Sequence, residues 1–259
     1  MTRAYESASP VNAAVDVCSP IVDLRQYTLY PGTRDPFIEL FDREFVETQE
    51  AVGIRIIGQF RDLSDPNRFV WIRGYPDMPS REKALTSFYM HGEAWRRHGE
   101  VARSHMIDSS DVLMLHPVRP DAAFTLPSAA ERPPLNSGLS PGLVVAPIYS
   151  LAKPVDADFI AFFEEVLLPA LIGAGGRVLG VFVTEDSPNN FARLPVREGE
   201  NVFIPFLGFD TLARYHEYMT ALGRHPRWRS EIYPALLKRL QRPPQILRLA
   251  PTSRSQLRP

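Results

Sequence analysis

A block that recurs at a fixed offset constrains this chain more than any single motif. Residues 51–60 read AVGIRIIGQF and residues 173–182 read GAGGRVLGVF, so Gly53, Arg55, Gly58 and Phe60 fall on Gly175, Arg177, Gly180 and Phe182 at an offset of 122. The same offset carries FIELF (37–41) onto FIAFF (159–163) and Tyr27 onto Tyr149. FVWIRG (69–74) resembles NVFIPF (201–206) at an offset of 132, so the second copy carries an insertion. Matched blocks in one order indicate a duplicated unit. A chain of 259 residues allows one large domain or two small ones, at about 150 residues per domain. The repeat selects two.

Each copy spells the same elements. Copy one predicts a strand at 22–29 and a turn at Tyr30-Pro31-Gly32. A helix follows, with Asp35 as N-cap and Pro36 at the first helical position, and Phe37, Leu40, Phe41 and Phe45 make its apolar face. Gly53 serves as C-cap. Strands at 55–61 and 69–74 form a hairpin, a broken helical stretch spans 81–104, and a last strand covers 112–116. Copy two predicts a strand at 143–149 and a helix at 159–171 capped by Asp156 or Asp158. Its hairpin pairs 177–184 with 201–207, its helical stretch at 211–240 breaks around His225-Pro226, and its last strand is 245–249. The order β-α-β-β-α-β is the split βαβ motif. The expected fold class is therefore α+β, two tandem ferredoxin-like repeats at 20–117 and 142–250. A proline-rich linker at 118–141 joins them, and residues 1–19 and 251–259 read as disordered tails. Helices cover one face of each sheet, so the sheets are expected to cover each other as a closed or nearly closed eight-stranded barrel within the chain.

Composition excludes several classes. One cysteine, Cys18, permits neither an intramolecular disulfide nor a Cys-based zinc site. No stretch approaches the ~20 apolar residues of a membrane span, and the first twenty residues lack a signal peptide's apolar region. A cytoplasmic protein with no membrane partner is expected. The net charge of −1 offers no global field for nucleic acid. Residues 224–259 carry nine basic residues against the single acid Glu231, which a solvated helix face and a basic tail explain. Of 29 basic residues, only Lys83, Lys153 and Lys238 are not arginine, and arginine forks suit carboxylate or phosphate. No Walker, GxGxxG, HExxH or GxSxG pattern occurs.

Alternation along the strands suggests a site. If Val22 and Leu24 pack on the helices, then Asp23, Arg25 and Tyr27 point into the barrel. The same logic turns Phe69, Trp71 and Arg73 inward, with Gln59 and Arg61 sharing one parity. Apolar walls with a few placed polar groups describe a ligand pocket; the alternative is a buried ion pair such as Asp23 with Arg25. In copy two these positions hold Val145, Pro147, Val181 and Pro205, and only Tyr149 is kept, so the chemistry is expected in copy one with copy two as lid and wall. His91, His98 and His105 recur at intervals of seven, but rungs ~10 Å apart cannot share one metal. No metal is expected, and His98 or His105 is left as a general base or a haem ligand.

The opening VDLRQYTLYPG and the block GIRIIGQFRDLSDPNRFVWIRGYPDM resemble the NIPSNAP family over about residues 21–117. Matching positions include Arg25, Tyr27, Gly53, Gln59, Phe60, Arg61, Asp65, Arg68, Phe69, Trp71, Arg73, Gly74, Trp95 and His98, whereas His105 departs from the pattern. The resemblance implies the dimeric α+β barrel superfamily, which includes small antibiotic-biosynthesis monooxygenases, polyketide cyclases and haem-handling enzymes. The expectation is an enzyme of bacterial specialised metabolism, monomeric or homodimeric, acting on a small-molecule substrate without a cofactor. Arg25 and Arg73 would hold an acid or enolate oxygen, Tyr27, His98 or His105 would move a proton, and Trp71, Phe69, Gln59 and Tyr149 would line the pocket. The alternative is a non-catalytic ligand- or haem-binding protein, which a filled barrel at Arg25 would favour.

Overall fold

The computed structural model describes residues 16–17, 19–128, 131–135, 137–138 and 141–259. After β1 (Asp16–Val17), the N-terminal half runs β2 (Ile21–Leu29), α1 (Arg34–Leu40), α2 (Val46–Glu50), β3 (Arg55–Asp62), β4 (Arg68–Tyr75), α3 (Met78–Thr86), α4 (Glu93–Ser104) and β5 (Met106–Pro117). The connection holds β6 (Thr125–Leu126). The C-terminal half runs β7 (Leu143–Ser150), α5 (Ala157–Phe162), α6 (Leu168–Gly173), β8 (Arg177–Thr184), β9 (Val202–Phe209), α7 (Leu212–Arg224), α8 (Tyr233–Leu237) and β10 (Gln245–Pro251). Among the described residues no helix is long and apolar enough to cross a membrane.

Eight strands close an antiparallel barrel in the order β10-β3-β4-β2-β5-β8-β9-β7. The halves join where β5 meets β8 and β10 meets β3, so no barrel strand is left with an open edge. Corresponding backbone features recur at the repeat offset. One π-helical turn, Phe41–Phe45, separates α1 from α2 and another, Phe163–Leu167, separates α5 from α6. Gly53 and Gly175 both end helices at positive φ, 93° and 105°, a conformation that costs glycine little. Gly58 and Gly180 each follow a register shift in their strands; a Cβ at Gly58 would meet the Phe60 ring at 2.5 Å. The helical stretches break as expected, one at Gly92 and one at His225. Thr33, not Asp35, sits at the first N-cap, and Asp35 lies inside the first turn, paired with Arg61 on β3. In the second half Asp156 caps α5 by accepting from the Phe159 N–H.

The lumen reverses one expectation. Val22, Leu24, Val70, Ile72, Leu113 and Leu115 of the first half meet Val144, Ala146, Ile148, Phe182, Ile204 and Leu249 of the second in a single buried cluster. The apolar parity therefore points inward, and Asp23, Arg25, Tyr27, Gln59, Phe69, Trp71 and Arg73 turn outward onto the helices. The physical reason is volume: eight strands leave a bore that side chains just fill, and the apolar sets of both halves fill it. The connecting segment contributes Phe124 and Leu126 to the same cluster, so part of it is core rather than spacer.

The C-terminal segment is likewise not a loose tail. Leu257 enters the barrel cluster, and the Thr252 and Leu257 N–H groups donate to the Gln59 and Ile57 carbonyls at 2.9 and 2.8 Å. Most of the expected N-terminal tail lies outside the described residues, although Asp16–Val17 pairs with Thr125–Leu126. Leu257→Ala is expected to lower unfolding stability by about 2–5 kcal/mol, read by urea denaturation. The exposed Ile246 of β10 supplies the control, Ile246→Ala, which should be close to neutral.

Candidate functional site

Two antiparallel strands set the site. β2 and β4 pair Asp23 with Arg73, Arg25 with Trp71 and Tyr27 with Phe69, which lines all six side chains along one outward face. The aromatic face of the first helix meets them: Phe41 packs at 4.9 Å from the Trp71 ring and Phe37 at 5.2 Å from Phe69. Between this sheet face and its helices lies a half-enclosed cavity of about 230 Å³. Tyr27, Trp71, Phe45, Phe88, Tyr89 and Trp95 line its apolar side, and Phe191, Arg193, Leu194 and Pro195 approach from the other half of the chain.

That approach is made by the stretch between β8 and β9. The strand registers pair Gln59 with Trp71 and Val181 with Pro205, so the offset grows from 122 to 134 across this stretch, two more than the sequence match suggested, and twelve additional residues fall here. Arg81 of α3 anchors it, donating to the Asn189 and Asn190 side-chain oxygens at 3.2 and 2.8 Å. Asn190 in turn donates to the Met78 carbonyl at 2.6 Å, and the Phe191 ring lies 6.0 Å from Tyr89. The second half thus closes the first half's site through its insertion rather than through its sheet.

Behind the cavity sits a charge cluster with no exposed atoms. Asp23 accepts from Arg73 Nε at 2.9 Å and Arg81 Nε at 3.2 Å, with Arg25 Nη1 at 3.7 Å, all at 0% exposure. Burial acts to raise the Asp23 pKa, but Arg81, Arg73 and Arg25 together hold it below its ordinary value. The Asp23–Arg25 ion pair weighed from the sequence is therefore real, and two more arginines join it. The guanidiniums of Arg25 and Arg73 stack over Trp71 at 5.7 and 5.0 Å. Each also reaches a phenol at the cavity: Arg25 Nε donates to the Tyr27 hydroxyl at 3.0 Å, and Arg73 Nη1 to the Tyr89 hydroxyl at 3.1 Å. With that lone pair engaged, each phenol's own O–H is free to donate elsewhere. Burial raises the Tyr89 pKa against the opposing pull of Arg73, which keeps the phenol protonated.

The remaining candidates lie elsewhere. Gln59 donates to Asp42 Oδ1 at 3.2 Å, in a second buried cluster where Arg254 donates to the Asp42 carbonyl at 2.7 Å. Burial pushes Asp42 up to about 6, against the pull of Arg254. Tyr149 packs between the second sheet and its own helices, since the lumen it was expected to share is filled. His98 Nε2 pairs with Glu44 Oε2 at 3.3 Å, and the His105 ring meets Phe37 edge-on at 6.1 Å; neither borders the cavity. Sequence reasoning did not single out Arg81, Tyr89 or the segment around Asn189. The one available signal was the insertion.

These two carboxylates predict opposite pH responses. Asp23 has a depressed folded pKa, so its contribution is present above the ordinary aspartate value, about 4, and is lost as pH falls through the folded value. Asp42 is raised in the fold, so it destabilises progressively as pH climbs from about 4 to about 6. Asp42→Asn should abolish that decline in a urea-midpoint series across the range. Asp23→Asn leaves three buried guanidiniums without an anion and should cost about 3–5 kcal/mol at neutral pH.

Comparison with known proteins agrees with this architecture. The NIPSNAP family model matches residues 22–120. Among solved structures, an anthrone oxidase-like protein shares the fold with TM-score 0.55 and 13% identity, over 96% of this chain and 98% of that one. A "putative monooxygenase" from Lactobacillus acidophilus NCFM gives TM-score 0.53 and 14% identity over 90% and 94% of the two chains. A NIPSNAP family protein from Agrobacterium tumefaciens str. C58 covers 38% of this chain and 92% of its own, at 19% identity and TM-score 0.35. No curated protein matches the chain.

Proposed function

With residues 22–120 matched by the NIPSNAP family model, we propose that the chain is a small-molecule enzyme working by acid–base chemistry without a cofactor, in the cavity between the first half's sheet and its helices. The observation that carries this reading is the pair of phenols, Tyr27 and Tyr89, each on the cavity wall and each backed by a buried guanidinium. Donors fixed in a water-poor site favour an oxygen on which negative charge develops. Tyr27 and Tyr89 are the catalytic residues in this reading. Arg25 and Arg73 polarise and orient them as positioning residues, and Trp71 and Phe45 form the apolar wall. The filled lumen removes the site first expected there and is the outcome that favours the non-catalytic alternative, so the enzyme reading rests on this outer cavity alone.

The volume lies just below the usual range of ~300–1,000 Å³, which suits a substrate of a few fused rings at most. Isomerisation, cyclisation, lyase chemistry and oxygenation all pass through an enolate-like oxygen that such donors stabilise. The names of the anthrone oxidase-like and monooxygenase neighbours support testing oxygenation first. Haem does not fit these residues, because the His98 imidazole is engaged by Glu44, His105 packs on Phe37, and neither borders the cavity. Two ferredoxin-like units joined by duplication, acting in bacterial specialised metabolism in the cytoplasm, complete the proposal. The strand order and the π turns at equal offset support the duplication.

The test is turnover of a panel of enolisable aromatic ketones and phenols, anthrone first, where anthrone and dioxygen give anthraquinone and water. Tyr27→Phe and Tyr89→Phe are each expected to lower kcat/KM about 10- to 1,000-fold with unchanged circular dichroism. Full activity in both variants would sink the mechanism, and binding without any turnover would favour a non-catalytic ligand-binding protein.

A further inference from the structure

Three guanidiniums and one carboxylate share a volume with no exposed surface. Arg25, Arg73 and Arg81 all have Asp23 as their partner acid, and arginine stays protonated in proteins. Two positive charges are therefore left over. The hydrogen bonds repeat the deficit. Among the described residues, Arg25 Nη1 and Nη2, Arg73 Nη2 and Arg81 Nη2 have no hydrogen-bond partner, and neither does the Trp71 indole nitrogen, over which Arg25 and Arg73 both stack. Buried polar groups are ordinarily satisfied, and buried charges are ordinarily paired, so a cluster with both deficits is one partner short.

The nearby phenols do not supply that partner. Burial raises Tyr75 well above its ordinary value and raises Tyr89 as well, so both remain neutral donors. Tyr27 and Tyr89 connect the cluster to the cavity, because each accepts from one of the arginines and borders the open space. An oxyanion placed against these two hydroxyls would feel the excess charge across one layer of side chains in a low-dielectric surrounding.

We infer that the molecule bound in this cavity presents an oxyanion, as a carboxylate or an enolate on a small aromatic frame, and that the Asp23–Arg25–Arg73–Arg81 cluster selects it over a neutral isostere. This inference rests on the cavity being the ligand site, as proposed above, and adds the charge class of the ligand. Asp23 has a specific part in it. One carboxylate holds the three arginines in place while leaving their charge mostly uncancelled.

Two fluorescent reporters, Trp71 and Trp95, already border the cavity. Titrating the native chain at neutral pH with 2-naphthoate and with its uncharged isostere 2-naphthamide reads the selectivity without any mutation. The carboxylate is expected to bind at least tenfold more tightly, and Arg25→Gln, checked for folding by circular dichroism, should reduce that ratio. A second arm uses 2-naphthol, whose absorption moves to the red on ionisation. Enolate-type recognition shows as the naphtholate band in the bound form at a pH where the free phenol is neutral. A preference in the first arm alone assigns a carboxylate, and the band in the second assigns an enolate or phenolate. Equal binding of naphthoate and naphthamide, with bound naphthol neutral, would overturn the charge inference and leave the cavity reading standing. Binding of none of the three would overturn both.

Discussion

An eight-stranded barrel has room for one filling of side chains, and that restriction organises everything outside it. Both halves send their apolar parity inward, where Val22, Ile72 and Leu115 meet Val144, Phe182 and Leu249. Once the lumen is spoken for, every residue of the other parity must face the helices. In the second half that face is aliphatic and aromatic. In the first half it carries Asp23, Arg25, Arg73 and the cavity-facing phenol of Tyr27, so the difference between the halves becomes a difference between their helix–sheet interfaces. Closure also recruits the chain's own connections: Phe124, Leu126 and Leu257 occupy the barrel cluster although they belong to neither repeat.

The site depends on this division in a second way. The strand face and the helices lie in the region that the NIPSNAP family model matches, but one wall comes from the stretch between β8 and β9 in the other half. Arg81 donates both to Asp23 and to Asn189 and Asn190, so one side chain ties the charge cluster to the covering segment. The second half supplies four barrel strands while the stretch between its β8 and β9 covers the cavity of the first.

Element order, hairpins, helix breaks and the repeat itself were legible because each is written in local pattern: glycine where φ turns positive, apolar residues at helical spacing, proline at the breaks. Arg25, Tyr27, Phe69, Trp71 and Arg73 were legible as one group because strand parity holds them on one face. Gln59 shares that face but is claimed by Asp42, a choice that only the position of the first helix makes. Tyr149 sits where the repeat puts it, yet it faces a different set of helices. His98 and His105 keep their sequence spacing and miss the cavity, since α4 turns them toward Glu44 and Phe37.

Local pattern in the sequence was enough to indicate the strands and helices of each half and to place the polar set in the first. It could not determine which parity faces the lumen, because a period of two defines two faces without ordering them. That order is decided when two sheets meet and the volume between them admits apolar side chains alone. The tertiary structure also decided that three arginines share one aspartate, since Arg81 reaches Asp23 from a helix 58 residues away along the chain. Contacts of that range arise from the packing of helix on sheet, and no local pattern encodes them.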